Sequence, residues 1–531
     1  MMKPLLFSAL FLFTMLQAIA QTCPVIPLPA QYQPGSESFA LSKRTAVIAK
    51  DASLQPVAAF LREQLLQQYE LPAGKATANK IILEHNSNGA PADAYTLRMS
   101  ENNIHITAAG PEGAFNAVAT LLQLTASATR KKDALYIPAW NIDDKPYYTW
   151  RGLMLDESRH FFGKEKVKSI LDWMAFYKLN RFHWHLTDAP GWRLEIKKYP
   201  LLTTIGGIGN HHNPEAPAQF YTQDDIREIV AYAQARYITV IPEIDMPGHA
   251  SAANRAYPAF DGGGTEKYPS FTFNPGREGT YQYLANILQE TDALFPSQMI
   301  HLGGDEVTFG NKGWESDTGV IRLMQSHGLT SRKAVEDYFI QRMADTVIGM
   351  HNKVLAWDEV ATATLPVNKT IVCWWRQDKP ENLRLALDKG YQVILCPRLP
   401  FYFDFVQDSS HKIGRRWAKG ELNNIQSVYD FDASRLPAAK DHSNNILGVQ
   451  ACLWTEVIAD NRRLDFMLFP RISALAETAW TAPEKKNAAQ FFQRLQSHLQ
   501  LYQQHHLYYF DMSAPDKHPE TGKPTNEKYI D

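Results

Sequence analysis

The sequence is short of cysteine, with four in 531 residues: Cys23, Cys373, Cys396 and Cys452. They are too few and too scattered for a disulfide scaffold or a paired CxxC metal site, so buried free thiols are the expectation. Neither sign of charge is in excess. Lys+Arg at 54 against Asp+Glu at 56 gives a formal net charge of −2, which offers no basic surface for polyphosphate and argues against a nucleic-acid partner. No G-x-G-x-x-G follows a strand-like run and nothing resembles a Walker A loop, so dinucleotide and nucleotide binding lack support. Beyond the first twenty residues no apolar run approaches the ~20 residues of a membrane span. With 45% hydrophobic and 21% charged residues, disorder, collagen and coiled coil are excluded.

What is present starts with an export signal. Met1-Met2-Lys3, an apolar run over 4–16, and Ala18-Ile19-Ala20 before Gln21 supply the positive, apolar and small-residue parts of a cleavable leader over 1–20. The protein is therefore expected to be exported, periplasmic or secreted. Cys23 lies just past the cleavage point, where a lipid could attach, but Gln21-Thr22 are poor lipobox residues. The 12 Trp, 23 Tyr and 26 Phe make 11% aromatics, whose flat apolar faces suit sugar rings as well as protein interiors.

The chain divides into two parts and a tail. Over 21–145, strand-like runs at 45–50, 80–84, 95–100 and 103–108 alternate with helical spacing in Leu54, Val57, Phe60, Leu61 and Leu65 and again after Pro111. This is a small α+β domain without a cluster of acid, base or metal-type residues, read as a supporting domain. From 146 to 510, eight strand-like runs (152–155, 182–186, 239–244, 299–302, 354–357, 371–374, 392–395 and 446–453) alternate with amphipathic helices. Strand and helix repeated eight times is the pattern of a (β/α)8 TIM barrel, with an open doubly wound sheet as the competing architecture. Residues 511–531 form a polar tail. The Gly262-Gly263-Gly264 run reads as a flexible lid or a disordered insertion.

In such a barrel, catalytic groups sit where strands end. Strand one runs into Asp156-Glu157-Ser158-Arg159-His160, strand two into Thr187-Asp188, strand three into Glu243-Ile244-Asp245 and His249, and strand four into Gly303-Gly304-Asp305-Glu306. Strand five ends in Trp357-Asp358-Glu359, six in Trp374-Trp375-Arg376, eight in Trp454-Thr455-Glu456, and the loop after seven holds Tyr402-Phe403-Asp404. Carboxylates with large aromatics point to a carbohydrate site. Close like charges raise one carboxyl pKa, which makes that residue a usable acid near neutral pH.

His301-Leu302-Gly303-Gly304-Asp305-Glu306 resembles the signature of glycoside hydrolase family 20, the β-N-acetylhexosaminidases. Arg151-Gly152, Ser158-Arg159-His160-Phe161-Phe162, His183-Trp184-His185-Leu186-Thr187-Asp188, Pro242-Glu243-Ile244-Asp245-Met246-Pro247-Gly248-His249 and Leu453-Trp454-Thr455-Glu456 resemble it too, in the same order. The resemblance spans nearly all of the mature chain, including the small domain before the barrel.

The resemblance implies a glycosidase outside the usual two-carboxylate scheme. The substrate's own 2-acetamido oxygen attacks the anomeric carbon, an oxazolinium ion forms, and configuration is retained. Glu306 is then the acid and later the base, Asp305 orients the acetamido N–H, and Tyr402 holds its oxygen. Arg159 is expected to grip the 3- and 4-hydroxyls, Glu456 and Asp404 the remaining ones, and Trp357, Trp375 and Trp454 to form walls, the Trp374-Trp375 doublet leaving open which of the two lines the pocket. Asp188, Asp245 and His249 are expected to back the acid. His183 and His185 share one strand face in a metal-like spacing, but metal-free relatives carry the same His-Trp-His, so no metal or cofactor is expected. The implied partner is a glycan or chitin-type oligosaccharide with a terminal N-acetylglucosamine or N-acetylgalactosamine. A disaccharide-releasing or sulfated-sugar enzyme and a catalytically dead sugar-binding protein are the rival readings.

Overall fold

The computed structural model describes residues 22–72, 79–86 and 89–522. The expected export signal lies outside them, as does the tail from 523 onward.

The N-terminal domain is a mixed sheet of β1 (Gln31–Ser42), β2 (Ala46–Ala49), β3 (Lys80–His85), β4 (Tyr95–Met99), β5 (Asn103–Ala108), β6 (Thr129–Lys131) and β7 (Ala134–Asp144). The order is β1-β7-β4-β5-β3-β2, with β6 added on β7. Helices α1 (Gln55–Tyr69) and α2 (Pro111–Ala126) pack beside it. The longest pair, β1 and β7, was not expected from the sequence. β1 carries Pro34 and Gly35, and its register against β7 shifts between Pro34 and Ser38; such residues at a sheet edge erase the alternation that marks a strand.

The second domain is a closed barrel of β8 (Trp150–Asp156), β9 (Arg181–His185), β10 (Thr239–Glu243), β11 (Met299–His301), β12 (Lys353–Trp357), β13 (Thr370–Trp374), β14 (Gln392–Leu395) and β15 (Ile446–Leu453). Neighbours run parallel, and β15 closes on β8 through pairs such as Cys452 with Met154. All eight expected strands are present, which excludes the open sheet. They read as continuous apolar runs because parallel strands are buried on both faces. Met154, Ile241, Leu355, Trp357, Ile371, Cys373, Ile394 and Cys452 fill the interior. The outer layer includes α3 (Lys164–Phe176), α4 (Gln223–Gln234), α5 (Glu278–Asp292), α6 (Arg332–Gly349), α7 (Pro380–Asp388) and α8 (Arg471–Trp480), with α9 (Ala488–Gln504) following. A capping box of Thr222 and Asp225 starts α4.

All four cysteines are buried and free. Cys23 is packed in the core, and burial pushes its thiol up to about 12. The glycine run departs from the expectation of a lid. Gly262 N–H donates to Thr272 O (2.7 Å) and Thr272 N–H to Gly263 O (3.0 Å). A Cβ on Gly264 would stand 2.1 Å from Tyr268 O, so these glycines permit backbone to pack on backbone. The described part of the tail also folds back: Glu520 accepts from Ile413 N–H (3.0 Å) and from Arg463 Nη1 (3.0 Å).

Candidate active site

The eight strands bring their C-terminal ends to one mouth. The cleft there is lined by Arg159, His249, Asp305, Glu306, Trp375, Arg398, Tyr402, Phe405, Arg415, Trp454 and Glu456. Asp305 and Glu306 enter it because β11 stops at His301 and two glycines turn the chain at φ +68° and +91°. Glu306 itself is left-handed at φ 53°, uncommon for a residue with a Cβ and a conformation that the surrounding fold must hold. The turn is tight: a Cβ on Gly303 would lie 1.8 Å from Asp245 Oδ1.

The two adjacent acids differ in setting. Glu306 is 35% exposed toward the cleft, whereas Asp305 is 11% exposed. Burial pushes the Glu306 carboxyl up, His249 opposes this, and Asp305 adds to it. Asp305 Oδ1 is buried without a hydrogen-bond partner among the described residues. Beneath them runs a chain of groups. His249 Nε2 lies 3.6 Å from Glu306 Oε2 and 3.5 Å from Asp305 Oδ2, while its Nδ1 is 3.0 Å from Asp188 Oδ1. Asp188 Oδ2 meets His185 Nε2 at 3.0 Å and Arg159 Nη2 at 2.7 Å. His185 Nδ1 reaches Glu243 Oε2 at 2.7 Å.

Charge sorts along this chain. Burial alone disfavours an ionised Asp188, but Arg159, His249 and His185 overcome it and hold its carboxyl well below the usual range. Burial likewise lowers His249, and Asp188, Asp245 and Asp305 more than reverse this, so the imidazole stays cationic. Asp245 goes the other way: burial and the neighbouring Asp305 push it well above the usual range. It accepts from Gly304 N–H at 3.3 Å.

The walls depart in one respect from the expectation. Trp375, not the buried Trp374, lines the cleft; its ring is nearly parallel to Tyr402 (12°, centroids 6.1 Å). Trp454 faces the cleft under the Arg159 guanidinium, 4.9 Å from the ring. Trp357 does not line it. The indole is buried below, 5.9 Å from Trp454, and donates Nε1–H to Glu243 Oε1 at 2.9 Å. As the last residue of β12 it points into the barrel and supports the wall. Asp404 and Glu456 come together through Arg415, 3.1 Å from Asp404 Oδ2 and 3.2 Å from Glu456 Oε1.

Arg398, Phe405 and Arg415 were not anticipated. They stand on the long connection after β14; the loop signal that marked Tyr402 and Asp404 would have reached Arg398 and Phe405, which flank that segment, but not Arg415, which returns to it from further along the chain. Among the described residues, four sets of atoms have spacings that a cation could use, each within 4.8 Å: His183, Glu243 and His301; His185, Glu243 and Asp245; Asp188, Asp245 and His249; and His249, Asp305 and Glu306. The first set is engaged internally, with His183 Nε2 and His301 Nδ1 at 2.9 and 3.1 Å from Glu243. A wider cleft between the domains, lined by Phe60, Tyr69, Phe115, Trp173 and Tyr232, carries Asp172, which Tyr232 and Arg236 already engage.

The model of the glycosyl hydrolase family 20 catalytic domain matches residues 148–483, and that of the family's domain 2 matches 22–145. The chain belongs to glycosyl hydrolase family 20. It is a glycosidase. The β-hexosaminidase of Porphyromonas gingivalis is 32% identical over 490 residues, 89% of this chain; the chain spans 62% of that relative's length. The β-N-acetylhexosaminidase of Cellulomonas fimi is 30% identical, covering 89% of this chain and 93% of its own. Among solved structures, the family 20 exo-β-N-acetylglucosaminidase of Vibrio harveyi in complex with N-acetylglucosamine has a TM-score of 0.84 at 32% identity, covering 93% of this chain and 79% of that one. The β-N-acetylhexosaminidase of Streptomyces coelicolor has a TM-score of 0.79 at 29% identity, covering 92% and 97%.

Proposed function

We propose that this family 20 glycosidase is an exported, exo-acting β-N-acetylhexosaminidase that removes terminal non-reducing N-acetylglucosamine or N-acetylgalactosamine with retention, using the substrate's acetamido group as nucleophile. The observation that carries the reading is that the pair Asp305–Glu306 and Tyr402 line one cleft at the mouth. Glu306, raised by burial and by Asp305, keeps a proton for the leaving oxygen. The buried, unpartnered Asp305 Oδ1 is an acceptor suited to an acetamido N–H and to the positive charge that grows on it. Burial holds the Tyr402 phenol well above its ordinary pKa, so it remains a donor for the acetamido oxygen. An internal nucleophile held between them gains the proximity of an intramolecular reaction. Once the leaving group departs, Glu306 as carboxylate takes a proton from the water that opens the oxazolinium ring.

The Trp375 and Trp454 walls favour a chain end over the middle of a polymer, and relatives named β-hexosaminidases support the sugar. The test compares chromophore release from an aryl β-N-acetylglucosaminide with release from the matching β-glucoside. Cleavage of the first alone is expected, whereas equal cleavage discards acetamido participation and silence on both moves weight to a longer aglycone requirement or to a sugar-binding protein.

A further inference from the structure

Resting on that reading, the part of the cleft wall formed by Arg159, Arg415 and Glu456 carries a second inference. Asp404 and Glu456 sit on different loops, yet one side chain joins them: Arg415 reaches Asp404 Oδ2 through Nε at 3.1 Å and Glu456 Oε1 through Nη2 at 3.2 Å. Arg159 approaches the same Glu456 Oε1 at 3.9 Å and pairs with Asp188 at 2.7 Å. Anions and cations therefore alternate as Asp188, Arg159, Glu456, Arg415 and Asp404, with Arg159, Glu456 and Arg415 at the cleft surface and the two aspartates buried behind them. Glu456 Oε2 is left buried and without a hydrogen-bond partner among the described residues.

The placement of Arg415 is built into the backbone. Its N–H donates to Asp404 O (3.2 Å), and Val406 N–H donates to its carbonyl (3.0 Å), so the residue is fastened beside the acid it pairs with. Gly414 allows this at φ +122°, where a Cβ would stand 3.0 Å from Asp404 O. Ile413, one residue earlier, is clamped by Arg463 Nη2 on its carbonyl (2.6 Å) and by Glu520 on its N–H (3.0 Å).

We propose that Arg415 is a positioning and specificity-determining residue: it fixes Asp404 and Glu456 as a matched pair of acceptors aimed at the hydroxyls of the terminal sugar remote from the scissile bond. Two carboxylates facing a neutral sugar repel each other, and each would have to be held against its neighbour. A planar guanidinium between them removes the repulsion and sets their separation, while leaving Oε2 of Glu456, which neither arginine uses, for a hydroxyl. It also keeps this wall near neutrality, so the negative charge of Asp305 acts on the acetamido side, where positive charge develops.

Glu456 reports on the arrangement. Burial raises its carboxyl, and Arg159, Arg415 and His211 reverse this and bring it down to about 2. The charged groups facing it are Arg159 with Asp156 and Asp188 behind, His211 on the loop before α4, and Arg415 with Asp404 on the loop after β14.

The experiment measures kcat and KM of the full chain from acid to neutral pH on an aryl β-N-acetylglucosaminide and on its 4-deoxy and 6-deoxy analogues. Arg415→Gln should raise KM about tenfold on the parent sugar with kcat changed by less than about threefold. Discrimination against one deoxy analogue should shrink by about tenfold, since the paired acceptors are no longer aimed. The acid limb of kcat/KM should move to higher pH as Glu456 loses a cation. Arg415→Lys, which keeps the charge but not the fork, should restore the limb and only part of the discrimination. A general packing defect would weaken all three substrates in proportion and leave the limb in place; that pattern overturns the inference. Should Arg415→Gln fail to fold, Arg415→Lys decides alone, and discrimination equal to wild type counts against it. Wild-type inactivity on the parent N-acetylglucosaminide would instead sink the proposed function, a failure visible before any variant is made.

Discussion

At the scale of single residues, Glu306 ties chemistry to stability with opposite signs. Its folded pKa is raised, burial first and Asp305 next. The folded chain therefore keeps this proton to higher pH than the unfolded chain does, and stability falls as pH rises through that window. Glu306→Gln removes the effect while preserving shape. Hydrolysis should fall by roughly 10²–10⁴-fold or more, because an amide delivers no proton, while the thermal midpoint at neutral pH stays equal or rises. A loss below tenfold in turnover would refute the acid assignment, and a large drop in the midpoint would refute the electrostatic argument. Asp305→Asn should also cost orders of magnitude on N-acetylglucosaminides, since the acetamido group loses its orienting anion; an unaltered rate would exclude substrate assistance.

At the scale of elements, the β11 turn places both acids, and it depends on the missing Cβ at Gly303. Gly303→Ala should destabilise by on the order of 3 kcal/mol through left-handed strain and the collision with Asp245. Its residual folded fraction should show reduced kcat, since Asp305 and Glu306 swing together. Urea unfolding and active-site titration separate the two effects, and a variant with wild-type stability would mean that the turn has another solution. This element was legible because glycines after an apolar run and before two acids mark a strand end. The barrel strands were legible for a related reason: burial on both faces leaves apolar runs that a one-dimensional pattern can show. β1 and β7 were not, since β1 is mostly exposed and interrupted by Pro34 and Gly35. Within the site, the carboxylates at strand ends could be read directly. Arg415 could not, because its position comes from a loop folding back on Asp404, and no local spacing encodes that contact. Trp357 departs from the expected wall for the opposite reason: the sequence marks its place at a strand end, but not the barrel-inward indole whose N–H Glu243 accepts.

At the scale of the whole molecule, the two domains meet over a buried ion pair. Asp144, the last residue of β7, accepts from Lys178 Nζ (3.2 Å), Tyr95 Oη (2.7 Å) and Trp480 Nε1 (2.9 Å), so one carboxylate joins the N-terminal sheet to α8 and to the turn after α3. Both ionic side chains are fully buried. Burial pulls Lys178 below its ordinary value, and Asp144 is the main group opposing this. Asp144→Asn should therefore cost about 3–5 kcal/mol at neutral pH, the penalty of an uncompensated buried charge. The lysine pKa drops further in the variant, so the folded state binds fewer protons than the unfolded one over a wider range. Stability of the variant must then rise with pH through that range, and its deficit against wild type must shrink toward alkaline pH. Because the pair lies at the opposite end of the barrel strands from Glu306, kcat of the folded variant should match wild type. Urea unfolding at neutral and alkaline pH, run beside activity, decides the point. A deficit that does not change with pH would mean that lost packing, and not the stranded ammonium, is what the interface feels.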